Sequence, residues 1–302
     1  MNVLMDRPLP KVRGTYAENA PLKDLVWFRA GGTADILYRP ADVEDLADFM
    51  AHKPADLSVT VIGVGSNLLI RDGGIPGVVI RLPAAFGRIE REGETRIRAG
   101  AAALDAAVAR SAADAGIAGM EFLRGIPGTI GGALSMNAGC YGSEIKDIFV
   151  EARAIDAHGR LITLKLADMD FAYRHSSPQG IIFVDALLQG RGDAPEAIRS
   201  RMEALVEQRE STQPVRAKTG GSTFTNPPGK KAWQLIDEAG CRGLTHGAAQ
   251  VSEKHCNFLI NTGNATASEI EALGEDVRER VKAKFGLMLE WEIKRLGRER
   301  AP

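Results

Sequence analysis

Apolar positions along the chain alternate between two periods, and the change of period marks its elements. Val43, Leu46, Phe49 and Met50 recur at helical spacing behind Asp42, a residue type that caps helices. Ser58–Ile62 is β-branched and reads as a strand, as do short runs at Asp35–Arg39 and Val78–Leu82. A strand at Thr95–Ala99 ends in Gly100, and an alanine-rich helix follows from about Leu104 to Ala115, stopped by Gly116. Strands are predicted at Phe149–Asp156, Leu161–Leu164 and Ile181–Leu188, the first two joined by a turn ending at Gly159. A helix starting at Pro195 carries Ile198, Met202, Leu205 and Val206 on one face, and a shorter one from Ala232 closes at Gly240. Asn257–Asn261 reads as a strand that places His255 and Cys256 on opposite faces. Ser268 with Glu271 fits a capping box for a helix whose apolar face is Ile270, Leu273, Val277, Val281 and Phe285. Alternation over Leu289–Leu296 predicts a last strand. The order of strands and helices is not a regular βαβ series, so the expected class is α+β, with a boundary near the Pro195–Arg209 helix.

Two glycine-rich stretches interrupt this pattern. From Gly125 the chain reads Ile126, Pro127, Gly128, Thr129, then Gly131, Gly132 and, a little later, Asn137 and Gly139. Glycine lets another group approach the backbone closely, and Pro127 fixes one φ, so the stretch suits a loop that offers N–H groups to an anionic or planar ligand. The second stretch, Gly63 to Leu69, follows a strand, but Leu68 stands where a dinucleotide fingerprint needs its third glycine and no helical period follows. A Rossmann unit is therefore not expected. Gly63, Gly65, Ser66 and Asn67 form either a strand–turn–strand nest for a pyrophosphate or a plain hairpin turn.

Composition narrows the classes. The 302 residues carry a net charge of -1, with 44% hydrophobic and 25% charged residues, which is ordinary for two or three globular domains and gives no basic face for nucleic acid. No apolar run reaches ~18 residues, and Met1–Ala20 lacks the apolar core of a signal peptide, so the expected location is the cytoplasm, without membrane insertion. Cys140, Cys241 and Cys256 have no CxxC spacing and read as reduced thiols. Walker and HExxH patterns are absent, the five histidines are scattered, and no metal site is expected. Ser222 lies in a glycine-flanked loop without the elbow of a hydrolase. Taken singly, Ser222, Tyr173, Arg174, Glu290 and Glu292 have weak claims on chemistry.

Taken in order, the motifs resemble a family. Phe28-x-Ala-Gly-Gly-Thr-Ala, the Gly63–Leu69 and Gly125–Ala133 loops, Asn137-Ala-Gly, Tyr173-Arg174, Gly221-Ser222-x-Phe-x-Asn-Pro and Leu289-Glu-x-Glu-Ile all occur as in the UDP-N-acetylenolpyruvoylglucosamine reductases. Those flavoenzymes make UDP-N-acetylmuramate for the bacterial cell wall. The resemblance runs from about Leu25 to Leu296, in the short form without the inserted loop that brings an extra tyrosine.

The resemblance implies two FAD-binding subdomains of the vanillyl-alcohol-oxidase type, residues 21–88 and 89–194, and an α+β substrate domain, residues 195–302. It implies non-covalent FAD held by Gly63, Gly65, Ser66, Asn67, Leu68, Gly100, Gly125, Ile126, Pro127, Gly128, Thr129 and Gly132, with NADPH as hydride donor. Neither glycine loop contains His or Cys, although Cys140 lies just beyond. Arg174 matches the family arginine that stabilises developing enolate charge with a planar fork. Ser222 matches the general acid, and Glu292 matches the glutamate that positions or polarises that site. Tyr173, Lys218, Asn226 and His255 are the expected substrate contacts, and the working state is expected to be a monomer. The chain departs from the family pattern at Thr225, where Lys or Arg is usual, and at Trp291, where Pro is common. Lys218, Lys230 or Lys231 is the expected replacement for the lost charge at Thr225. Two other readings share features: an FAD-dependent oxidase of the same fold, which has no reason to carry the Ser222 loop, and a flavin- or nucleotide-binding protein without catalysis.

Overall fold

A computed structural model describes residues 9–300. The reading of Met1–Ala20 thus lies partly outside the described residues. The chain separates into two compact units, one made of the segments up to Ala17, Leu37–Gly63 and Val79–Arg209, the other of Glu18–Ile36, Val64–Val78 and the chain from Glu210 onward. Helices and mainly antiparallel strands are mixed without βαβ repetition, so the α+β expectation holds. A four-stranded sheet runs in the order Thr15–Pro21, Thr33–Arg39, Ile75–Arg81, Val59–Ile62.

In the first unit, a five-stranded antiparallel sheet has the order Leu161–Lys165, Phe149–Ile155, Ile182–Gln189, Arg96–Gly100, Ile89–Glu92. Position in the sheet follows composition. Ile182–Gln189 is buried along nearly its whole length and lies in the middle, whereas Leu161–Lys165 alternates exposed and half-buried positions and lies at an edge. The helix Asp105–Asp114 packs through Val108, Ala109, Ala112 and Ala113, whose small side chains permit a close approach. Ile97, Leu123, Ile130, Leu134 and Leu188 complete this core. The helix Pro195–Thr212 adds Ile198 and Met202; Leu205 and Val206, expected on the same face, are only half-buried.

The second unit is built around the helix Ala267–Phe285, which buries Ile270, Leu273, Val277 and Val281 as its period predicts. It shares a core with Phe28, Phe224, Ile236, Val251, Leu259, Leu289 and Ile293. A three-stranded antiparallel sheet, Thr245–His246, Ala249–Val251 and Leu259–Asn261, contributes the strand side, and Lys294–Leu296 pairs in parallel with Leu68–Ile70.

Three local expectations are corrected. The capping box of the long helix is Thr266 with Glu269, two residues earlier than expected. Ser268 is diverted to Asp72, donating from its hydroxyl at 2.7 Å, and Glu271 is diverted to Arg71 and Arg295. The run Leu289–Leu296 is a strand only from Lys294, because the Glu292 and Ile293 N–H groups both turn to one acceptor, the Thr223 carbonyl, instead of forming a ladder. His255 and Cys256 lie in a turn before the strand, closed by the Phe258 N–H on the His255 carbonyl at 3.0 Å, so the two-face argument does not apply to them.

Candidate active site

Each unit carries one group of the residues singled out in the sequence. In the first unit, Gly125 to Gly132 is laced to the segment Ala101–Asp105. Asp105 N–H donates to Gly128 O at 3.1 Å, Ile130 N–H to Ala103 O at 3.0 Å and Gly131 N–H to Ala101 O at 2.9 Å. The Ile130 and Gly131 N–H groups, like that of Ile126 on Leu123 O at 3.1 Å, are thus consumed inside the protein, and Thr129 leads into the short helix Ile130–Ser135. The glycines permit this packing: a Cβ on Gly128 would lie 2.7 Å from Asp105 Oδ2, one on Gly125 would lie 2.9 Å from Cys140 Sγ and from the Tyr141 ring, and one on Gly63 would lie 2.8 Å from Thr129 Oγ1. Gly63 therefore sits beside the Gly125–Gly132 loop. Gly100 ends a strand, where a Cβ would lie 2.1 Å from the Phe86 carbonyl, one residue before the Ala101 that receives Gly131. Its glycine identity is thus accounted for by strand packing.

Two apolar side chains around this loop stay exposed. Leu104, which bridges Thr129, is 48% exposed, and Tyr141, whose ring faces Gly125, is 39%. A flat ring system with an apolar face suits such a surface, and close backbone approach is available along the glycines, so these residues fit FAD. Cys140 does not offer itself for covalent attachment: its thiol donates to the Phe122 carbonyl at 3.2 Å, and burial pushes its pKa up to about 11.

Asp105 is the unusual titratable group here. It is fully buried, and neither carboxyl oxygen meets a hydrogen-bond partner among the described residues. Burial raises its pKa well above the ordinary carboxylate range, and the nearby Gly128 N–H, which is not placed for a proper hydrogen bond, only partly opposes this.

Tyr173 and Arg174 form the two-residue tip of a tight hairpin closed by reciprocal bonds between Ala172 and His175, each 3.1 Å. Arg174 has φ 55°, a left-handed conformation that costs a non-glycine residue energy, and its guanidinium lies 5.1 Å from the Tyr173 ring centroid. The buried Asn137, itself at φ 43°, braces this tip: its Nδ2 donates to Ala172 O at 3.0 Å and to Glu144 Oε2 at 2.7 Å, and its Oδ1 accepts from Lys146 N–H at 3.1 Å. Burial acts to raise the pKa of Glu144, but hydrogen bonds from Lys146 and Asn137, helped by the charge of Arg174, bring it below the usual range.

In the second unit, backbone pairing gathers most of the other candidates. Gly65 takes φ 67° where a Cβ would lie 2.7 Å from Val26, and its carbonyl accepts from Trp27 N–H at 3.2 Å. Ser66 and Asn67 form a half-buried turn that leads into the strand beginning at Leu68. Asn67 Nδ2 donates to Glu292 O at 3.2 Å, and Asn67 O accepts from Lys294 N–H at 3.1 Å. Glu292 N–H in turn donates to Thr223 O at 2.8 Å, which seats Glu292 beside the residue after Ser222. Ser222 bridges Phe258, and Lys218 bridges Asn261, so both lie along the segment that follows His255. The His255 ring packs edge-on to Phe258 at 4.8 Å; burial lowers its pKa, and its Nδ1 has no hydrogen-bond partner among the described residues. Asn226 stands somewhat apart, its Oδ1 accepting from Ala232 N–H at 3.0 Å at the start of the helix Ala232–Glu238. Lys218 Nζ donates to Gly263 O at 3.2 Å.

Two supporting residues escaped the sequence reading of roles. Asn137 was seen only as part of a motif. Asn257 is buried and binds both backbone groups of Phe224, at 3.0 and 2.8 Å, holding the chain just after Ser222. A polar amide within the apolar run Asn257–Asn261 was the available signal, since such a group needs a specific partner when buried. Among the described residues, no cluster of His, Cys, Asp and Glu is placed to hold a metal ion, and no helix is long and apolar enough to cross a membrane.

Comparison with known proteins agrees with this arrangement. Residues 34–165 match the family described as FAD binding domain, and residues 213–296 match the C-terminal domain of UDP-N-acetylenolpyruvoylglucosamine reductase. A UDP-N-acetylenolpyruvoylglucosamine reductase of Parvibaculum lavamentivorans is 62% identical over 295 residues, covering 97% of this chain and 94% of that protein. Its counterpart in Phenylobacterium zucineum is 58% identical, covering 96% of this chain and 98% of that one. The crystal structure of the Thermus caldophilus enzyme superposes with a TM-score of 0.82 at 33% identity, over 95% of this chain and all of that chain. With an FAD-binding domain, a matching C-terminal domain and such identity along nearly its whole length, the chain belongs to the UDP-N-acetylenolpyruvoylglucosamine reductase family.

Proposed function

We propose that this protein reduces the enolpyruvyl ether of UDP-N-acetylenolpyruvoylglucosamine to UDP-N-acetylmuramate, using NADPH, in the supply of peptidoglycan precursors. The observation that carries the reading is the pairing of Glu292 N–H with Thr223 O, which sets the family glutamate beside the family serine in a chain that matches a reductase over 97% of its length. Gly63, Gly65, Ser66, Asn67, Leu68, Gly100 and the loop Gly125, Ile126, Pro127, Gly128, Thr129 and Gly132 are proposed to hold FAD without a covalent bond. When bound, FAD would supply hydride-transfer chemistry between NADPH and the enolpyruvyl ether.

The protein's own groups manage charge and protons. As negative charge builds toward the substrate carboxylate, Arg174 meets it with a permanently charged, planar set of donors, more effective in a water-poor site than in bulk solution. Ser222 Oγ gives its proton to the adjacent carbon. A hydroxyl is a weak acid, so the step relies on a strongly basic carbon and on close positioning. Glu292 orients or polarises Ser222. Tyr173, Lys218, Asn226 and His255 contact the nucleotide sugar, and the uncharged His255 does so as a hydrogen-bonding or packing group. The proposed division of labour is FAD binding by residues 21–88 and 89–194 and substrate binding by residues 195–302, in a monomer working in the cytoplasm.

The test is product formation. Purified protein with FAD, given NADPH and the enolpyruvyl nucleotide sugar, should yield a nucleotide sugar heavier by two hydrogens in the mass spectrum. Unchanged substrate under these conditions would count against the reading.

A further inference from the structure

Trp291 lies between the two glutamates of the last motif, and its surroundings are built to hold it. The helix Ala267–Phe285 carries a glycine in its interior, Gly274, although glycine is among the poorest residues for that place. A Cβ there would lie 2.2 Å from Cη2 and 2.4 Å from Cζ2 of Trp291, so the indole occupies the notch that the missing side chain leaves. Its N–H donates to Glu275 Oε1 at 2.8 Å, on the next residue of the same helix. The Arg295 guanidinium lies 4.5 Å from the indole ring centroid and donates to the same Glu275 oxygen at 3.0 Å and to Glu271 at 2.8 Å. Phe224 packs against the indole with ring centroids 5.1 Å apart. Arg278, also on the helix, donates to Leu289 O at 2.8 Å and so holds the chain just before the motif.

These contacts act on backbone register. Phe224 and Trp291 are bridge partners, flanked by Thr225 N–H on Glu290 O at 2.9 Å and Glu292 N–H on Thr223 O at 2.8 Å. With only a bridge and no full ladder, little in the backbone itself fixes the register, and a slip by one residue would move Glu292 along its partner by about 3.3 Å. We propose that Trp291, seated in the Gly274 notch and tied to Glu275, is a positioning residue that locks the Glu290–Ile293 segment onto the Ser222–Thr225 segment and thereby aims Glu292 at the proton-transfer site. The proposal rests on the roles assigned above to Ser222 and Glu292, and it gives the departure from proline at this position a purpose.

The experiment follows the two half-reactions separately on FAD-loaded protein under anaerobic conditions. In Trp291→Ala, bleaching of the flavin by NADPH should proceed as in the wild type, while recolouring by the enolpyruvyl nucleotide sugar should slow roughly 10- to 100-fold, the scale for misplaced reacting groups. Trp291→Phe, which keeps a ring in the notch, should recover much of that loss. If Trp291→Ala does not fold, Glu275→Leu, which removes the indole's acceptor, is read for the same split. Recolouring at the wild-type rate, or an equal loss in both half-reactions, would overturn the positioning role. Failure of the wild type itself to recolour would instead overturn the underlying assignment of substrate.

Discussion

Asn137 donates from its side-chain amide to the carbonyl of Ala172 at 3.0 Å, and Ala172 is the residue that opens the hairpin presenting Arg174. The two are far apart in sequence, yet the bond fixes a tip that holds Arg174 in a left-handed conformation. Strain of this kind persists only where the surroundings enforce it, and Asn137 is a large part of the enforcement. Asn137→Ala removes three hydrogen bonds made by a buried amide to partners that water can still reach, and should cost roughly 1–3 kcal/mol of stability. It should also slow the substrate-dependent half-reaction by roughly tenfold or more while sparing reduction by NADPH. Thermal denaturation and the two half-reaction rates check both parts; a variant that lost stability alone would separate Asn137 from the arginine.

Arg174→Lys keeps a charge and loses the fork. One ammonium does not reproduce two parallel donors, so the substrate-dependent rate should fall by roughly 100- to 1,000-fold, as for loss of an oxyanion donor. Stopped-flow recolouring of the flavin measures it, and a lysine variant within a few-fold of wild type would show that charge alone suffices.

Ser222→Ala removes the proposed proton donor and little else. Bleaching by NADPH should be retained, while the second half-reaction slows by roughly 100-fold or more. Turnover at the normal rate would mean that the proton comes from elsewhere.

Asp105 links the glycine loop to pH. Its folded pKa is raised by burial, so the folded state holds a proton that the unfolded chain releases above about pH 4. Its contribution to stability is therefore greatest at low pH and declines as pH rises toward the raised folded value. Asp105→Asn, neutral throughout, should be at least as stable as wild type near neutral pH and should lose less stability between about pH 5 and pH 8. Melting temperatures of both proteins at the two pH values decide it, and identical pH dependence would show that Asp105 is not protonated in the fold.

Much of this was legible in the sequence, because periodicity and glycine placement are local signals. The helices at Val43–His52 and Ala267–Phe285 follow from their apolar spacing, and the turn after Gly63 leads to a strand, as the missing third glycine and lack of a helical period implied. What was not legible depends on partners far along the chain. Nothing near Ser268 reveals that Asp72 takes its hydroxyl, and nothing near Glu290 reveals that Thr223 delays the start of the last strand to Lys294. Asn137, Asn257 and Asp105 have roles set entirely by burial and by groups brought to them in three dimensions. The Gly274 notch likewise has meaning only once Trp291 is seen to fill it.

The most direct test of the account is an anaerobic visible spectrum of the purified protein, taken before and after NADPH and then after the enolpyruvyl nucleotide sugar. The account predicts a yellow protein that NADPH bleaches and that the sugar recolours. A protein that recolours only on admission of air would contradict the assignment of substrate, and a colourless protein that takes up no FAD would contradict the role given to both glycine loops.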